Sequence, residues 1–249
     1  MTDSPEPVFP DWPAPANVHA LTTTRVGGFS QGPYTSFNLG DHVGDDPDTV
    51  ARNRALLREA LKLPLEPLWL KQVHGTNVVD AASAHTHIGV TADGAWTHRP
   101  GVVCAVLTAD CLPVFLCDRQ GTKVALLHAG WRGLAAGVIE AGVRALATPS
   151  AELLAWLGPA IGPDSYEVGD DVRRAFLDDD PGAAEGFRPA GAGRWHADLY
   201  ALACRRLQAQ GVNAIHGGNF CTLRERERFY SFRRDGVTGR MASLIWLAP

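Results

Sequence analysis

The residues of this chain best suited to chemistry are two histidines and one cysteine, each at the end of an apolar, strand-like run. His74 ends P-L-W-L-K-Q-V-H, Cys111 ends V-V-C-A-V-L-T-A-D-C, and His128 ends K-V-A-L-L-H. Loops at the ends of buried strands are where a rigid scaffold presents reactive side chains to a cleft. We therefore expect these three side chains to meet at one site.

Imidazole and thiolate groups are zinc ligands, and three of them leave a fourth position open to water or substrate, as in catalytic zinc sites. His74, Cys111 and His128 are far apart in the sequence, unlike the closely spaced ligand pairs of a zinc finger. The sequence therefore predicts a catalytic metal centre formed by these three residues. Zinc is the expected ion, and copper is an alternative.

The same residues also suit a mechanism without a metal. Cys111 could act as a nucleophile and His128 as its base, with Asp110 or Asp93 orienting the imidazole. Sequence order does not distinguish this mechanism from the metal centre.

Five polar residues in neighbouring loops are candidates for binding a substrate. Arg25 lies beside a glycine pair in T-T-R-V-G-G-F-S, and Arg132 follows the glycine turn of H-A-G-W-R-G, where a helix N-terminus would also favour an anion. Arg233 in F-Y-S-F-R-R-D is a further anion contact. Asn38 in F-N-L-G-D and Gln72 in K-Q-V-H complete the set. Structural alternatives are a solvated arginine, a packing turn or an Asx turn.

Length and composition predict one globular domain with a sizeable core. The chain has 249 residues, 45% of them hydrophobic and 20% charged, which is enough to bury a sizeable core. Lys plus Arg number 23 against 27 Asp plus Glu, and the net charge of -4 disfavours nucleic acid and anionic membranes as partners. Apolar runs are far shorter than the roughly 18 residues of a membrane span.

The N-terminus and the cysteines indicate the compartment. Residues 1–16 are acidic and proline-rich and lack the features of a secretion signal, so we predict a flexible N-terminal segment followed by a single domain over 17–249. An odd number of cysteines, with Cys104 and Cys117 inside apolar runs, predicts buried free thiols. A cytoplasmic location is expected. The sequence does not define an oligomeric state, and it is compatible with a monomer.

Apolar patterning and turn residues predict the elements that position the site. Predicted strands are 18–24, 68–73, 102–107, 112–117, 124–128, 153–157, 212–215 and 241–247. Predicted helices are 47–62 with Asp46 as N-cap, 134–147, a short helix capped by Asp170 and ending at 177, and 198–210. Residues 178–193 are predicted to form a mobile loop. Strands grouped between single helices favour an α+β fold of mixed sheets packed together, with helices outside.

The phrases K-Q-V-H-G, T-A-D-C-L-P-V and H-A-G-W-R-G together resemble the YfiH-type family, variously named laccase-domain polyphenol oxidases, purine nucleoside phosphorylases and peptidoglycan editing factors. The resemblance spans nearly the whole chain, through R-V-G-G-F-S, F-N-L-G-D-H-V-G-D-D-P-D-T-V-A-R-N-R, G-P-A-I-G-P-D-S-Y-E-V-G and F-Y-S-F-R-R-D-G-V-T-G-R-M-A. A-D-G-A-W and Ala203-Cys204 depart from the family pattern, which bears on substrate preference.

This resemblance implies an αββα-like layered fold and a zinc ion held by His74, Cys111 and His128. It places Arg25 near a bound nucleoside. The implied activities are phosphorolysis of adenosine, inosine and methylthioadenosine, together with deamination of adenosine. Expected partners are therefore a purine nucleoside and phosphate.

Other functions compete with this one. A multicopper oxidase needs roughly ten histidines, largely in H-x-H pairs, whereas the chain has nine histidines and one such pair, His85 and His87, which we place at the surface. A copper-dependent polyphenol oxidase is thus disfavoured, and the H-x-E and P-C-x-x-C elements of cytidine deaminases are absent. The remaining alternatives are a cytoplasmic cysteine or metal amidase that edits serine-containing peptidoglycan precursors, and a non-catalytic metal-holding module.

Overall fold

The computed structural model of the protein describes residues 5–84 and 89–249, so His85 and His87 lie outside the described residues. The strands are β1 (Val18–Thr22), β2 (Val78–Asp80), β3 (Gly94–Thr97), β4 (Cys104–Thr108), β5 (Leu112–Asp118), β6 (Val124–Ala129), β7 (Leu153–Leu157), β8 (Glu167–Gly169), β9 (Phe187–Gly191), β10 (Arg194–Ala197), β11 (Ala214–Gly217) and β12 (Met241–Leu247). The α-helices are α1 (Pro47–Ala60), α2 (Ala81–Ala84), α3 (Trp131–Ala136), α4 (Val138–Leu146), α5 (Asp170–Leu177), α6 (Leu199–Ala209) and α7 (Phe232–Asp235).

These strands form three sheets. A six-stranded mixed sheet has the order β11-β7-β5-β6-β3-β2, in which the outermost pair at each edge is parallel and the inner pairs are antiparallel. A three-stranded antiparallel sheet has the order β1-β12-β4, and a smaller antiparallel sheet has the order β8-β10-β9. The mixed sheets predicted from the sequence are confirmed.

The two larger sheets pack face to face, and helices cover their outer faces. Successive side chains of β5 alternate between the two faces, as expected for a strand: Leu112 and Leu116 face the helices, whereas Phe115 and Cys117 face the other sheet. Because both faces are covered, β5 has a continuous apolar sequence rather than an alternating one. The core between the sheets also contains Val106, Leu126, Trp156, Met241 and Ile245.

The outer layers complete the αββα arrangement. On the six-stranded sheet, Leu116 and Leu127 pack in one cluster with Ile139 of α4 and Leu207 of α6. On the three-stranded sheet, Leu57 of α1 lies in a cluster with strand residues of β4 and β12. The prediction of an α+β fold with helices outside packed sheets is confirmed. None of the helices among the described residues is both long and apolar enough to cross a membrane.

One predicted helix, 134–147, is instead two helices. Gly137 separates α3 from α4 in a left-handed conformation, with φ of 100°. Its N–H donates to the carbonyls of Gly133 and Leu134, which is how a glycine ends a helix. The first of the two helices begins at Trp131, three residues earlier than predicted, so it starts directly after the glycine turn that follows His128.

Segment 68–73 is extended but is not a strand. Its backbone pairs with neighbouring segments at isolated bridges, between Leu68 and Cys104 and between Lys71 and Thr91. The side chain of Gln72 replaces a ladder partner: its amide donates to the carbonyl of Leu107 at 2.9 Å and accepts from the Leu107 N–H at 2.7 Å. The apolar run therefore predicted the burial of Leu68 and Leu70 correctly, whereas Val73 is exposed and the predicted strand pairing is wrong.

Two segments predicted as loose contain ordered contacts. The predicted loop 178–193 includes a 3-10 helix, Pro181–Gly186, and strand β9. In the proline-rich N-terminal segment, Val8 pairs with Thr22 through backbone hydrogen bonds of 2.8 and 2.9 Å, and Trp12 packs against the core between the sheets. Both segments therefore contain regular backbone contacts, and the flexibility and mobility expected of them stay predictions. At α5, Gly169 rather than Asp170 occupies the N-cap position.

Candidate metal centre

His74, Cys111 and His128 converge as predicted. Their potential ligand atoms all lie within 4.8 Å of one another, and Cys111 Sγ is 3.9 Å from His74 Nε2. The pairing of β5 with β6 explains two of the positions, because Cys111 directly precedes β5 and His128 lies opposite Pro113 in the neighbouring strand. His74 reaches the same place from the loop that follows the bridge at Lys71.

Asp93 holds two of the three residues in place. Its buried carboxylate accepts a hydrogen bond from His128 Nδ1 at 2.9 Å, which leaves His128 Nε2 for another partner. The same carboxylate accepts the backbone N–H groups of Val73, His74 and Gly75 at 3.2, 2.8 and 2.7 Å. His74 has a φ of 61°, which is unusual for a residue other than glycine, and these bonds hold it there.

Asp110 supports Cys111 in a different way. Its carboxylate accepts from the Thr222 hydroxyl at 2.6 Å and from the Arg233 N–H at 2.7 Å. Its backbone has a φ of 93°, a second strained position beside the site. Of the two aspartates considered from sequence, Asp93 therefore orients His128, and Asp110 fixes the turn that carries Cys111.

Electrostatics separate Cys111 from the core cysteines. Burial alone would raise the pKa of the Cys111 thiol, but the charges and hydrogen bonds of His128 and His74 outweigh it and lower that pKa to about 6. Burial raises the pKa of Cys117 to about 12 and raises that of Cys104 further. Cys111 is thus the cysteine suited to act as a thiolate, whereas the other two are core thiols.

The three residues fit a zinc ion. Bonds of about 2.0 to 2.3 Å in tetrahedral geometry place ligand atoms about 3.3 to 3.6 Å apart, so shifts of about 1 Å would bring the observed atoms to that spacing. Gly130 provides the room, because a Cβ there would lie 2.8 Å from His74 Cδ2 and 3.0 Å from Cys111 Sγ. The carboxylate of Asp93 behind His128 is a usual partner of a metal-bound histidine.

Zinc should protect Cys111 from alkylation. In metal-free protein we expect iodoacetamide to modify Cys111 before Cys104 and Cys117, because its pKa of about 6 makes it mainly thiolate at neutral pH. The rate should fall as the pH is lowered through that value. Adding zinc should slow the reaction at Cys111, measured by mass spectrometry of its peptide. An unchanged rate with zinc would contradict a ligand role for Cys111.

Two of the predicted anion contacts lie beside the site. Arg132 is exposed and its guanidinium lies over the Trp131 ring, 4.3 Å from the centroid. Arg233 lies 5.1 Å over the ring of Tyr166 and donates to the carbonyl of Glu167 at 2.6 Å. Tyr166 interacts electrostatically with Cys111 and with both arginines. These cations therefore border the thiolate on the side of Tyr166.

The other three predicted substrate residues have structural partners. Arg25 donates through Nε and Nη2 to the Thr35 carbonyl, at 3.0 and 2.7 Å, and lies over the Tyr230 ring. Asn38 is buried and bonds both the N–H and the carbonyl of Gly40. The side-chain amide of Gln72 is hydrogen-bonded to the backbone of Leu107. A substrate contact through any of these three stays a prediction.

Sequence reasoning missed Tyr166 and Arg240. Arg240 interacts electrostatically with both Cys111 and Asp110, although it lies far along the chain. The tyrosine is in the proline-punctuated segment G-P-A-I-G-P-D-S-Y, and the arginine ends D-G-V-T-G-R. Neither has a local pattern that distinguishes a site residue from a loop residue.

Comparisons with known proteins find relatives that match nearly the whole chain. The family model described as multi-copper polyphenol oxidoreductase laccase matches residues 19–248. A Pseudomonas aeruginosa protein named purine nucleoside phosphorylase is 56% identical over 239 residues, which cover 96% of this chain and 97% of that protein. Escherichia coli YfiH, also named purine nucleoside phosphorylase, is 51% identical over 240 residues, covering 96% and 98%.

Solved structures show the same fold. The Neisseria meningitidis protein NMB0706 superposes with a TM-score of 0.94 at 52% identity, covering 98% of this chain and 99% of that one. YlmD of Geobacillus stearothermophilus superposes with a TM-score of 0.85 at 32% identity, covering 94% and 93%. The chain therefore belongs to the YfiH-type family, whose family model carries the laccase description.

Proposed function

We propose that this protein is a zinc-dependent purine nucleoside phosphorylase that also deaminates adenosine in the cytoplasm. Its substrates would be adenosine, inosine and methylthioadenosine. The convergence of His74, Cys111 and His128, with Asp93 behind His128, is the observation that carries the proposal. Relatives about 50% identical over nearly the whole chain are named purine nucleoside phosphorylases, which supports the same reaction class.

Phosphorolysis breaks the bond between the purine and the ribose anomeric carbon and forms a bond from that carbon to a phosphate oxygen. Deamination instead replaces the amino group at purine C6 with an oxygen from water and releases ammonia. Bound at the three ligands, zinc would polarise a substrate group and lower the pKa of water towards about 7. Arg132 and Arg233 at the rim would attract an anionic substrate.

The donor set favours zinc over a blue-copper site. Such copper sites add a weak axial methionine to two histidines and a cysteine. Met241 is the one methionine among the described residues, and its sulfur accepts the N–H of Tyr230 at 3.1 Å inside the core. It therefore has a structural partner away from the three ligands, and a three-ligand zinc centre fits these residues better.

A second function is favoured by one feature: Cys111 contacts His128, and His128 in turn contacts Asp93. A thiol, an imidazole and a carboxylate that orients the imidazole are the groups of a cysteine nucleophile. An amidase acting on peptidoglycan precursors with serine in place of alanine would use them. Release of the amino acid from such a precursor, without turnover of nucleosides, would support this function over phosphorolysis.

Incubation of zinc-loaded protein with adenosine and inorganic phosphate tests the proposal. We expect inosine and ammonia from deamination, adenine and hypoxanthine from phosphorolysis, and ribose 1-phosphate in an amount equal to the sum of the two bases. Chromatography separates these products in a single run. Treatment with a chelator should abolish both reactions, and added zinc should restore them. No turnover of any of the three nucleosides by the zinc-loaded protein would contradict the proposal.

A further inference from the structure

Arg240 carries a partly buried positive charge, and no carboxylate of the described residues lies within ion-pair distance of its guanidinium. Its Nη1 donates to the carbonyls of Thr238 and Gly239, each at 3.0 Å. Within residues 5–84 and 89–249, neither Nε nor Nη2 has a hydrogen-bond acceptor, and the guanidinium forms no ion pair. Two of its nitrogens therefore keep donors that no described residue uses.

Other arginines of similar burial are paired. Arg54 contacts the Asp41 carboxylate at 3.3 Å, and Arg206 contacts that of Glu140 at 2.7 Å. Arg234 contacts the Asp235 carboxylate at 2.8 Å. Because a charge taken out of water is costly unless it is paired, Arg240 differs from these three arginines and is suited to bind an anion.

The backbone and its neighbours direct Arg240 towards the metal centre. Its N–H donates to Asn38 Oδ1 at 2.9 Å, and its side chain crosses Gly40, where a Cβ would lie 2.8 Å from Arg240 Cγ. Burial lowers the pKa of Arg240, and the charges of Cys111 and Asp110 act in the opposite direction. The guanidinium is therefore held within electrostatic range of Cys111.

Two buried threonine hydroxyls also lack hydrogen-bond partners among the described residues. One lies two residues before Arg240 in the sequence, and the other lies opposite the residue that follows Arg240. Thr238 is 1% exposed and Thr108, which pairs with Met241 in the sheet, is 2% exposed. Neither hydroxyl oxygen has a hydrogen-bond partner among the described residues. Buried polar groups are nearly always satisfied, so the unpartnered hydroxyl of Thr238, two residues before Arg240, supports a polar occupant at this turn.

We propose that Arg240 binds the tetrahedral oxyanion that enters the metal centre, with inorganic phosphate as that anion. The two free donors of a planar guanidinium suit two oxygens of one phosphate, whereas exposed Arg132 and Arg233 attract it from the rim. This inference rests on the proposed phosphorolysis and names the residue that holds its second substrate. A substrate carboxylate offers the same paired oxygens and is the alternative source of the anion.

The variants Arg240→Gln and Arg240→Lys test this assignment in zinc-loaded protein. We expect Arg240→Gln to raise the phosphate KM at least about tenfold, with little change in the adenosine KM, because it removes a charge-assisted contact. The ratio of phosphorolysis to deamination should fall by a similar factor. Arg240→Lys should recover part of the phosphate affinity. Exposed Arg144, on α4, provides the matched control Arg144→Gln, which should match the wild type.

A direct measurement of phosphate binding tests this inference independently of the proposed function. Calorimetric titration of inorganic phosphate, and separately of acetate, into zinc-loaded protein should show phosphate binding that Arg240→Gln weakens at least about tenfold. If nucleosides are not turned over but this phosphate binding is found, the reaction is wrong and the anion site stands. Tighter binding of acetate than of phosphate would overturn the phosphate assignment. An unchanged phosphate affinity in Arg240→Gln, with unchanged zinc content and circular dichroism, would overturn the site itself.

Discussion

Replacement of Cys111 with alanine should abolish stoichiometric zinc binding and lower nucleoside turnover by at least about 10³-fold, since catalytic groups that act as a unit fail together. The reason is the geometry: Cys111 Sγ supplies the one thiolate among three ligand atoms that lie within 4.8 Å of one another. Two histidines alone leave a zinc ion with half of its tetrahedral positions unfilled by protein. Elemental analysis of the purified variant and the nucleoside assay together check the prediction.

The control for this prediction is Cys204→Ala. Cys204 lies on α6, is partly buried, and packs against the helix-side core rather than against the metal centre. This variant should keep its zinc and its activity. Retention of full activity by Cys111→Ala would remove both the metal and the nucleophile mechanisms. Loss of activity with zinc retained would instead favour Cys111 as the nucleophile.

The positions of the reactive residues were predictable from the sequence, because each follows an apolar run that predicts a buried segment. The run that ends at Cys111 became β4 of the three-stranded sheet, whereas the run that ends at His128 became β6 of the six-stranded sheet. Cys111 and His128 meet because Cys111 directly precedes β5, the antiparallel neighbour of β6. The layered fold followed from the same apolar runs. Composition and periodicity reflect what is buried, and these elements are buried on both faces.

Contacts made by side chains to distant backbone were not predictable in this way. Segment 68–73 is joined to β4 by the amide of Gln72 rather than by a strand ladder, and no periodic pattern encodes such a bond. Gly137 divides a helix whose apolar pattern continues on both sides. Arg240 reaches the site from the turn before β12 through Asn38 and Gly40. Such placements depend on tertiary packing, which overrides local propensity.

The role of Asp93 could not be predicted from the sequence either, because its sequence neighbours did not distinguish it from Asp110 as the partner of His128. The structure gives Asp93 four hydrogen bonds at the metal centre, one from His128 and three from the backbone of residues 73–75. Those bonds outweigh the effect of burial and lower the pKa of Asp93. The carboxylate thus fixes both the ring of His128 and the strained backbone of His74.

We expect Asp93→Asn to weaken zinc binding by about 10- to 100-fold, the usual effect of losing the partner of a metal-bound histidine. Asparagine has nearly the same shape but offers one acceptor oxygen and an NH₂ group, which would face the N–H donors of residues 73–75. Leaving a buried donor unpaired costs about 1 to 3 kcal/mol, so the free energy of unfolding should also fall. Competition with a chelator measures the zinc affinity, and urea denaturation measures stability.

Asp118→Asn distinguishes the two effects. Asp118 is a buried carboxylate at the opposite end of β5, where it accepts the N–H groups of Thr122 and Lys123 at 2.7 and 3.1 Å. Its replacement removes comparable hydrogen bonds, so it should lower stability by a similar amount while leaving zinc affinity unchanged. If both variants lowered zinc affinity equally, the loss in Asp93→Asn would come from general destabilisation. A selective loss in Asp93→Asn would assign the carboxylate to the metal centre, because only that residue contacts His128.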